Sequence, residues 1–512
     1  MRRIFIYMIC FASLVFGGCD LNLEPENGVT FDHYFQEESD CNALLRQMEA
    51  DLRVIWSAVT FHEHMGLLTD RVYNAASIEK VRNLDPNYLT DRAKQQQWKP
   101  YYNVITNTHL LEENVGRVPN LEKKRQSFYL GQVYFMRAAC YFWLSRTWGD
   151  AVIVKSSSYI DRYEKSPAVE VIDSAIANAK RAYRLLPRFD KLRDLNNKAL
   201  VSKQYGSRGS AAALLAHIYA WKGSVQKNDD DLRASVDWAS RLIEPQYQDS
   251  VGVYTLAESA EEVVTSVMDR NSAEGIFEIE VNYADISYYG LFFSGSYFVS
   301  YPVMRNSGKN DITTINYGLY RSTVLNMYEE GDERRDAFFY ALDSAGMNTA
   351  DLTYLYKWCT PRYESSGSSI DFKGMDCNRV LMRLADIYLL RAECEAKLGM
   401  TAQAREDLNA IRGRRKANLF PAGKNDDGGS DLQYSIFLER ERELLFEGHR
   451  YHDAVRNGYY GQNSRHRVLP DAFYNLTDQD ITEGALYLPV PQMAFNDNDL
   501  MIQNAYWISK MR

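Results

Sequence analysis

Apolar positions recur every three or four residues along most of this 512-residue chain, which is the period of an amphipathic helix. A long stretch from about residue 246 to 375 breaks that period with loops and short apolar runs. The predicted helices are Glu38–Phe61, Asn87–Val115, Leu121–Trp148, Pro167–Leu186, Ser207–Gly223, Leu232–Ile243, Cys377–Leu398 and Ala402–Ala417. The fold class is therefore predicted to be mainly α, with a loop-rich region that contains short strands.

One further helix is predicted over residues 431–457. Ser430 and Gln433 form a capping-box pattern, and Gly458 stands where a helix usually stops. The stripe that faces the core contains Phe437, Leu444, Tyr451 and Val455, with Glu441 and Gly448 between them. Gly448 would allow another backbone to approach closely.

Charged side chains follow one flank of this predicted helix. Arg440, Glu443, Glu447 and Arg450 are spaced by three or four residues, which suits a lattice of ion pairs. Glu439, Glu443 and Glu447 could also be read as the paired carboxylates of a glycosidase. The arginines interleaved with them favour the structural interpretation.

Two helical segments share a faint internal repeat. LLAHIYAWKG at 214–223 and LLRAECEAKLG at 389–399 each place an alanine seven residues before a glycine, and each leads into a second helix. Small residues at this spacing let paired helices pack closely, as in tetratricopeptide-like units. A generic helical hairpin explains the same pattern.

The first residues resemble a lipoprotein signal peptide. Arg2 and Arg3 precede an apolar run that ends at Phe16, shorter than the roughly 20 residues that span a bilayer. Gly17 and Gly18 then lead to Cys19, whose thiol would receive the diacylglycerol. The alternative is an ordinary secretory signal.

Residues 1–18 are accordingly predicted to be a signal peptide and residues 19–37 an acidic tether. The formal net charge of −9 becomes −11 without residues 1–18, because the two lost charges are both arginines. Such a balance argues against nucleic acid as a partner. The cysteines beyond Cys19 are odd in number and irregularly spaced, so neither a disulfide framework nor a zinc site is predicted.

Two stretches of the C-terminal part stand out, FLERERELLFEGHRYHDAVRNGYY at 437–460 and LYLPVPQMAFNDNDLMIQNAYW at 486–507. Together they resemble the C-terminal signature of the SusD/RagB family of nutrient-binding lipoproteins. YFMRAACYFWLSRTWGDAVIV at 134–154 resembles another family block, with Val152 where proline is usual. Further blocks follow in the family's order, so the resemblance covers most of the chain from about residue 40 to 507.

The resemblance implies a SusD-like fold, with four tetratricopeptide-like helix pairs as its scaffold. Residues 38–512 would form a single body with a helical part at 38–245, a loop-rich part at 246–375 and a signature part at 376–512. It implies a surface-exposed, lipid-anchored protein of the outer membrane that binds oligosaccharides and delivers them to a SusC-like TonB-dependent transporter. Oligopeptides, as in RagB-like members, are the alternative ligand. Neither catalysis nor a cofactor is implied.

Loops should decide what is bound, because the helical scaffold is shared within the family. Aromatic rings stack on sugar faces, and polar neighbours bind hydroxyl groups or peptides. Three loops offer this combination, at 67–86, at 282–310 and around residue 358. The candidate ligand-binding residues are Asp70, Arg71, Tyr73, Asn74, Tyr283, Tyr288, Tyr289, Tyr297, Trp358, Arg362 and Tyr363. Alternate aromatics of 288–301 could instead be inward-facing strand residues.

Other chemistries are less well supported. His449 and His452 with Glu447, or His62 and His64, lack the HExxH spacing of a zinc helix, so no metal site is predicted. Acidic stretches at 228–231, 424–429 and 496–500 lack the twelve-residue calcium pattern and are interpreted as solvated turns. An enzyme, and a helical-repeat scaffold that binds only proteins, stay as rival hypotheses.

Overall fold

The computed structural model describes residues 34–57, 72–74, 80, 82–93, 97–158, 162–281, 299–304, 317–343, 351–367, 369–496 and 498–511. Cys19 and the predicted signal peptide lie outside these residues. So do residues 58–71 and 282–298, which hold much of two predicted binding loops.

Helices dominate this part of the chain, as predicted. The longer ones are α1 (Glu38–Ser57), α2 (Pro86–Ala93), α3 (Lys99–Asn114), α4 (Lys123–Trp148), α5 (Ala168–Leu185), α6 (Arg208–Gln226), α7 (Asp229–Ile243), α8 (Arg321–Met327), α9 (Leu384–Lys397), α10 (Thr401–Arg414), α11 (Leu432–Glu443) and α12 (Arg450–Arg456). Shorter helices are Gln248–Val251, Ala260–Glu262, Arg334–Ala337, Asp478–Thr482 and Ala505–Lys510. None of the helices in the described ranges is both long enough and apolar enough to span a membrane.

The long helices form a continuous layer in which chain neighbours pack side by side. Helix α4 packs on α3 and α5, α6 packs on α5 and α7, and α9 packs on α7 and α10. The two segments of the internal repeat are α6 and α9, each followed by a second helix. At Gly223 an added Cβ would lie 2.8 Å from the backbone nitrogen of Leu232, so this glycine allows the close approach of α6 and α7.

The main core lies inside this helical layer. Helix α4 is buried along most of its length, because its sequence is apolar on nearly every side. Three tryptophans, Trp56, Trp98 and Trp143, are buried in this core. The rings of Trp56 and Trp143 pack edge to face with their centroids 4.8 Å apart.

The strands are short and pair two by two. They are β1 (Val72–Asn74), β2 (Gly275–Ile279), β3 (Tyr317–Leu319), β4 (Phe339–Tyr340), β5 (Tyr354–Leu355), β6 (Pro361–Ser366), β7 (Ser369–Met375) and β8 (Arg379–Arg383). The antiparallel pairs are β1–β3, β2–β8, β4–β5 and β6–β7. A second, smaller core that includes Val299, Phe339 and Leu355 packs beneath several of these strands.

The predicted helix at 431–457 is wrong in its middle. Helix α11 ends at Glu443, and Phe446 and Gly448 take positive φ angles of 59° and 91°. The carbonyl groups of Glu443 and Leu445 accept hydrogen bonds from the Lys357 ammonium, at 3.1 Å and 3.0 Å, instead of continuing a helical ladder. At the start, Asp431 rather than Ser430 is the cap, since its carboxylate accepts from the Tyr434 N–H.

Three other boundaries also differ from the prediction. Residues 379–383 form strand β8, although the pattern predicted helix from Cys377, because a short apolar run fits either structure. The predicted helix 87–115 is divided into α2 and α3, and Pro100 lies in the first turn of α3, where its missing N–H costs nothing. Helix α7 begins at Asp229, so the acidic stretch 228–231 caps a helix.

Candidate ligand-binding site

Tyrosines from separate segments meet on the strand side of the molecule. In strand β1, Tyr73 pairs with Gly318 of β3 and packs edge to face on Tyr320, with ring centroids 5.8 Å apart. Tyr320 is 42% exposed, so part of its ring is open to solvent. Its backbone bridges that of Leu352, which links this pair to the next group of rings.

That next group is built around the β4–β5 pair. Tyr340 and Tyr354 are register partners, and Tyr301 packs edge to face on both, with centroids 5.6 Å and 5.7 Å away. Tyr356 lies 6.4 Å from Tyr340, which is 38% exposed. Tyr73 and Tyr301 also pack on the small cluster of Leu352 and Tyr354, so the two groups are continuous. Together Tyr73, Tyr301, Tyr320, Tyr340, Tyr354 and Tyr356 are here named the tyrosine patch.

Charged groups adjoin the tyrosine patch. Arg321 follows Tyr320 and donates to the Leu342 carbonyl at 2.8 Å and to the Asp343 carboxylate at 3.1 Å. Arg335 donates to the same carboxylate at 2.9 Å and is the main cause of a lowered pKa at Asp343. The patch therefore combines ring faces with guanidinium and carboxylate groups, which is the combination that binds sugars or peptides.

The β6–β7 hairpin braces this region. The hydroxyl of Tyr363 donates to the Val303 carbonyl, close to Tyr301, and its ring packs on Phe372. Arg362 is exposed on the same hairpin, with its guanidinium 3.9 Å from the Asp376 carboxylate. Tyr363 thus has a bracing contact in addition to its predicted role, and Arg362 is accessible as that role requires.

Trp358 requires a correction. Its side chain is only 3% exposed and belongs to the second core, with the Lys357 ammonium 5.6 Å from its ring. A ring this deeply buried cannot stack on a ligand, so the sequence-based role for Trp358 does not fit this structure. An aromatic residue between polar ones favoured an exposed loop here, but both Trp358 and its neighbour Lys357 are buried.

Several other predicted contacts lie outside the described residues. They are Asp70, Arg71, Tyr283, Tyr288, Tyr289 and Tyr297. Asn74 lies in β1 opposite Tyr317. The sequence interpretation missed Tyr320, Tyr340, Tyr354 and Tyr356, because they come from short segments without a local cluster.

A buried network of ion pairs underlies the end of β5. The Glu443 carboxylate contacts Arg415 at 3.0 Å, Arg383 at 2.9 Å and Arg334 at 3.1 Å. Burial alone would raise the pKa of Glu443, but these three arginines outweigh it and lower the pKa well below its usual range. Glu443 is therefore ionised, and its role is structural.

The network continues on both sides of Glu443. Arg383 also binds Glu274 and Glu447, and Glu447 accepts from Lys357 at 2.5 Å. Burial lowers the pKa of Lys357 to about 8. Because Lys357 directly follows Tyr356, the network fixes the segment that carries part of the tyrosine patch.

The ion-pair interpretation of the signature flank is thus confirmed, although its members are buried. Glu439 pairs with Arg334 at 2.6 Å and with Arg412 at 3.0 Å. Arg412 also contacts Asp426 at 2.7 Å, and Asp426 is buried. The prediction of a solvated turn at 424–429 is therefore wrong for Asp426.

Histidines of the signature segment are buried beside this network. His217 Nε2 lies 2.7 Å from Asp386, and the His449 ring stacks near His217 with centroids 6.2 Å apart. Burial lowers the pKa of His449 to about 4, so this imidazole is neutral near pH 7. Arg440 neutralises Asp386 at 2.8 Å. The group forms part of the packing between α6, α9 and α12.

Comparisons with known proteins agree with this architecture. The SusD family model matches residues 295–507, and a second model, described as starch-binding and associating with the outer membrane, matches residues 35–220. SusD-like protein P38 of Formosa agariphila is 24% identical over 490 residues, covering 88% of this chain and 90% of that protein. SusD-like protein P25 of the same organism is 22% identical over 553 residues.

Solved structures share the fold. A SusD homologue from Bacteroides thetaiotaomicron superposes with a TM-score of 0.74 at 23% identity, covering 92% of this chain and 98% of that one. A SusD superfamily protein from Bacteroides vulgatus gives a TM-score of 0.69 at 16% identity, with coverages of 92% and 100%. The two family models cover separate parts of one continuous fold, and this chain belongs to the SusD/RagB family.

Proposed function

We propose that this protein captures oligosaccharides at the cell surface and delivers them to a SusC-like TonB-dependent transporter of the outer membrane. The observation that carries the proposal is the tyrosine patch, in which Tyr320 and Tyr340 expose part of their rings beside Arg321, Arg335 and Asp343. The starch-binding description of one matching family model supports a glycan as the ligand.

Two kinds of contact would bind the ligand at this patch. Ring faces bury the CH-rich faces of sugar rings, and the charged groups fix orientation by hydrogen bonds to hydroxyl groups. The remaining predicted residues, among them Asp70, Arg71, Asn74, Tyr288 and Tyr289, would complete the site from the neighbouring loops. No bond of the ligand is broken, so the activity is binding rather than catalysis.

Anchoring and delivery belong to the same proposal. An acylated Cys19 would hold the protein on the outer membrane, and two or three acyl chains anchor stably where one does not. Replacing Cys19→Ala is expected to move the protein into the aqueous phase of a detergent partition. Unchanged retention in the membrane fraction would argue against the anchor. Purification from native membranes should recover a TonB-dependent barrel with it.

A matched set of variants tests the ligand site. We expect Tyr320→Ala with Tyr340→Ala to weaken binding of a neutral glucan oligomer such as maltoheptaose about tenfold or more, because exposed ring faces are lost. Val201→Ala is the control, since Val201 is 70% exposed and far along the chain from the patch. Calorimetric titration and thermal melting, measured together, separate lost contacts from lost stability.

The same titrations distinguish the alternative ligands. Binding of mixed oligopeptides but not of glucans by the parent protein, with loss in the tyrosine variant, would favour the RagB-like hypothesis. Equal binding by the parent and the tyrosine variant would place the site elsewhere. Release of new reducing ends or amino groups from either ligand would indicate an enzyme.

A further inference from the structure

A cleft of about 690 Å³ opens on the helical layer, away from the tyrosine patch. Its walls are the turn between α3 and α4, at residues 118–128, and the loop between α5 and α6, at residues 185–197. Glu38 and Arg208 complete the described lining, so the cleft shares no residue with the patch. The volume lies within the roughly 300–1,000 Å³ of small-molecule pockets.

The lining combines an apolar base with a positive rim. Val118, Phe128 and Leu192 are buried residues of the base. The basic lining residues are Lys124, Arg125, Lys191, Arg193 and Arg208, and the acidic ones are Glu38, Glu122 and Asp194. This excess of positive charge is notable in a chain whose formal net charge is −9.

Two of the arginines are fixed in place by main-chain carbonyl groups. Arg193 Nη1 donates to the carbonyl groups of Asp190 and Leu192, at 3.0 Å and 2.7 Å. Arg208 Nε donates to those of Tyr183 and Leu186, at 3.2 Å and 2.9 Å. Their other guanidinium nitrogens retain free donors, because a guanidinium carries five N–H groups.

Neither of these two charges is neutralised within the described part of the chain. The structure places no carboxylate there within 4.0 Å of Arg193 or Arg208, whereas Arg125 pairs with Glu38 at 2.5 Å. The nearby Asp194 is committed to its own turn, where one carboxylate oxygen accepts from the N–H groups of Asn196 and Lys198. Arg193 and Arg208 are therefore held in position, and their guanidinium groups are available to bind an anionic ligand.

The two walls are also tied to each other. Arg125, on α4, donates through Nη1 to the carbonyl of Arg193 at 2.7 Å, and its guanidinium lies 4.8 Å from the centre of the Phe128 ring. A cleft whose walls are joined before a ligand arrives loses less conformational entropy on binding.

We propose that this cleft is a second ligand site, specific for anionic oligosaccharides whose sugars carry carboxylate or sulfate groups. The guanidinium forks of Arg193 and Arg208 match the paired oxygens of such groups, and the apolar base receives the ring faces. The inference rests on the proposed glycan-binding function, but it uses different residues and a different class of sugar.

The test uses the mature full-length chain and two double variants with equal charge loss. Arg193→Gln with Arg208→Gln removes both forks. Arg233→Gln with Arg405→Gln removes two exposed arginines that do not line the cleft. Each protein is titrated with a short oligogalacturonate, a sulfated oligosaccharide of similar length and maltoheptaose, at low and at raised salt.

We expect the parent protein to bind at least one of the two anionic oligomers. The cleft variant should bind it about tenfold or more weakly, because charge-assisted hydrogen bonds are lost. The control variant should bind it within about twofold of the parent. Any such small loss of affinity comes from long-range electrostatic attraction, which raised salt screens. Comparing oligogalacturonate with the sulfated oligomer identifies which acidic group is recognised.

Two outcomes would overturn the inference. One is the absence of binding of either anionic oligomer by the parent, and the other is equal affinity in the cleft and control variants. The tyrosine variant separates this inference from the proposed function. If the parent binds anionic oligomers through the arginines but binds no neutral glucan, the anionic site in the cleft is supported and the glucan site at the tyrosine patch is contradicted. If Tyr320→Ala with Tyr340→Ala abolishes anionic binding, the cleft is not an independent site.

Discussion

The helical layer and the loop-rich region are stabilised in different ways. In the helical layer, α4 and α6 bury apolar side chains on nearly every side, and their backbones satisfy their own hydrogen bonds. In the loop-rich region the paired strands are as short as two residues, and isolated two-stranded sheets are marginally stable. There, buried ion pairs centred on Glu443 and Arg383 join segments that have no regular ladder between them.

This difference separates the two candidate sites as well. The tyrosine patch lies on short strands, held from below by Lys357 and Glu447, so its geometry depends on distant parts of the chain. The cleft lies at the ends of long helices, and Arg193 and Arg208 are held by carbonyl groups no more than 25 residues away in the chain. We therefore expect the patch to be more sensitive than the cleft to changes in the ion-pair network.

The largest expected effect comes from breaking that network. Glu443→Gln leaves Arg415, Arg383 and Arg334 without their shared carboxylate in a buried site. Breaking a buried ion pair by removing one partner typically costs about 3–5 kcal/mol. Urea unfolding should show a loss of this order.

The control is Glu406→Gln on the exposed face of α10, which should change stability by no more than about 0.5 kcal/mol. A Glu443→Gln protein as stable as this control would show that packing, rather than the ion pairs, holds the loop-rich region. Weaker maltoheptaose binding at an unchanged melting temperature would instead show that the network positions the patch without stabilising the fold.

A pair of glycines offers a second, smaller contrast. Gly448 has a φ of 91° in the break between α11 and α12, so Gly448→Ala strains the backbone and should cost about 1–3 kcal/mol. Gly413 lies inside α10, and an added Cβ would meet nothing within 4 Å. Gly413→Ala should therefore stabilise the protein by about 0.4–1 kcal/mol. Chemical denaturation should show that the free energy of unfolding falls in the Gly448→Ala protein and rises in the Gly413→Ala protein. Changes of the same sign would contradict the backbone conformation described for these two glycines.

The difference between the helical layer and the loop-rich region also explains which features could be predicted from sequence. Periodicity placed α4, α5 and α6 within a few residues, because an apolar stripe or an all-apolar helix is a local signal. It failed at 444–449. There the ammonium of Lys357, far away in the chain, donates to the carbonyl groups of Glu443 and Leu445 in place of helical N–H groups. No local pattern contains that partner.

The candidate site follows the same rule. Tyr73 was predicted because polar residues adjoin it, but Tyr320 and Tyr340 join it only through strand pairs between distant segments. Trp358 was misassigned because neighbouring charges suggest exposure, whereas Lys357 is itself buried in ion pairs. The arginines of the cleft belong to no sequence motif. Arg193 and Arg208 are recognised only in the structure, where they have no carboxylate partner among the described residues.

A pH-dependent effect is expected inside the helical layer. Burial, with Asp407 nearby, raises the pKa of Glu395 from 4.5 to about 8, and its Oε2 has no hydrogen-bond donor in the described part of the chain. A carboxyl whose pKa is higher in the folded state stabilises the fold less as pH rises between the two values. Glu395→Gln should match the parent near pH 4, below the unfolded pKa, and exceed it near pH 8.

The difference should be at least the ~1.4 kcal/mol that corresponds to one pKa unit. Urea unfolding at several pH values measures it, and Glu170→Gln, on the exposed surface of α5, supplies the control for a simple change of net charge. A Glu395→Gln protein whose stability runs parallel to that of the parent from pH 5 to pH 8 would show that Glu395 is ionised in the fold, paired with Arg391.

The smallest effect on stability is expected in the predicted loop at 282–310. Replacing Tyr288→Ala or Tyr289→Ala should weaken oligosaccharide binding by about tenfold, because an aromatic contact contributes roughly 0.5–1.5 kcal/mol beyond its buried area. Melting temperature should hardly change. A large fall in melting temperature without a separate effect on affinity would identify an inward-facing tyrosine. If both variants bind maltoheptaose and oligopeptides as the parent does, the tyrosine patch acts without this loop.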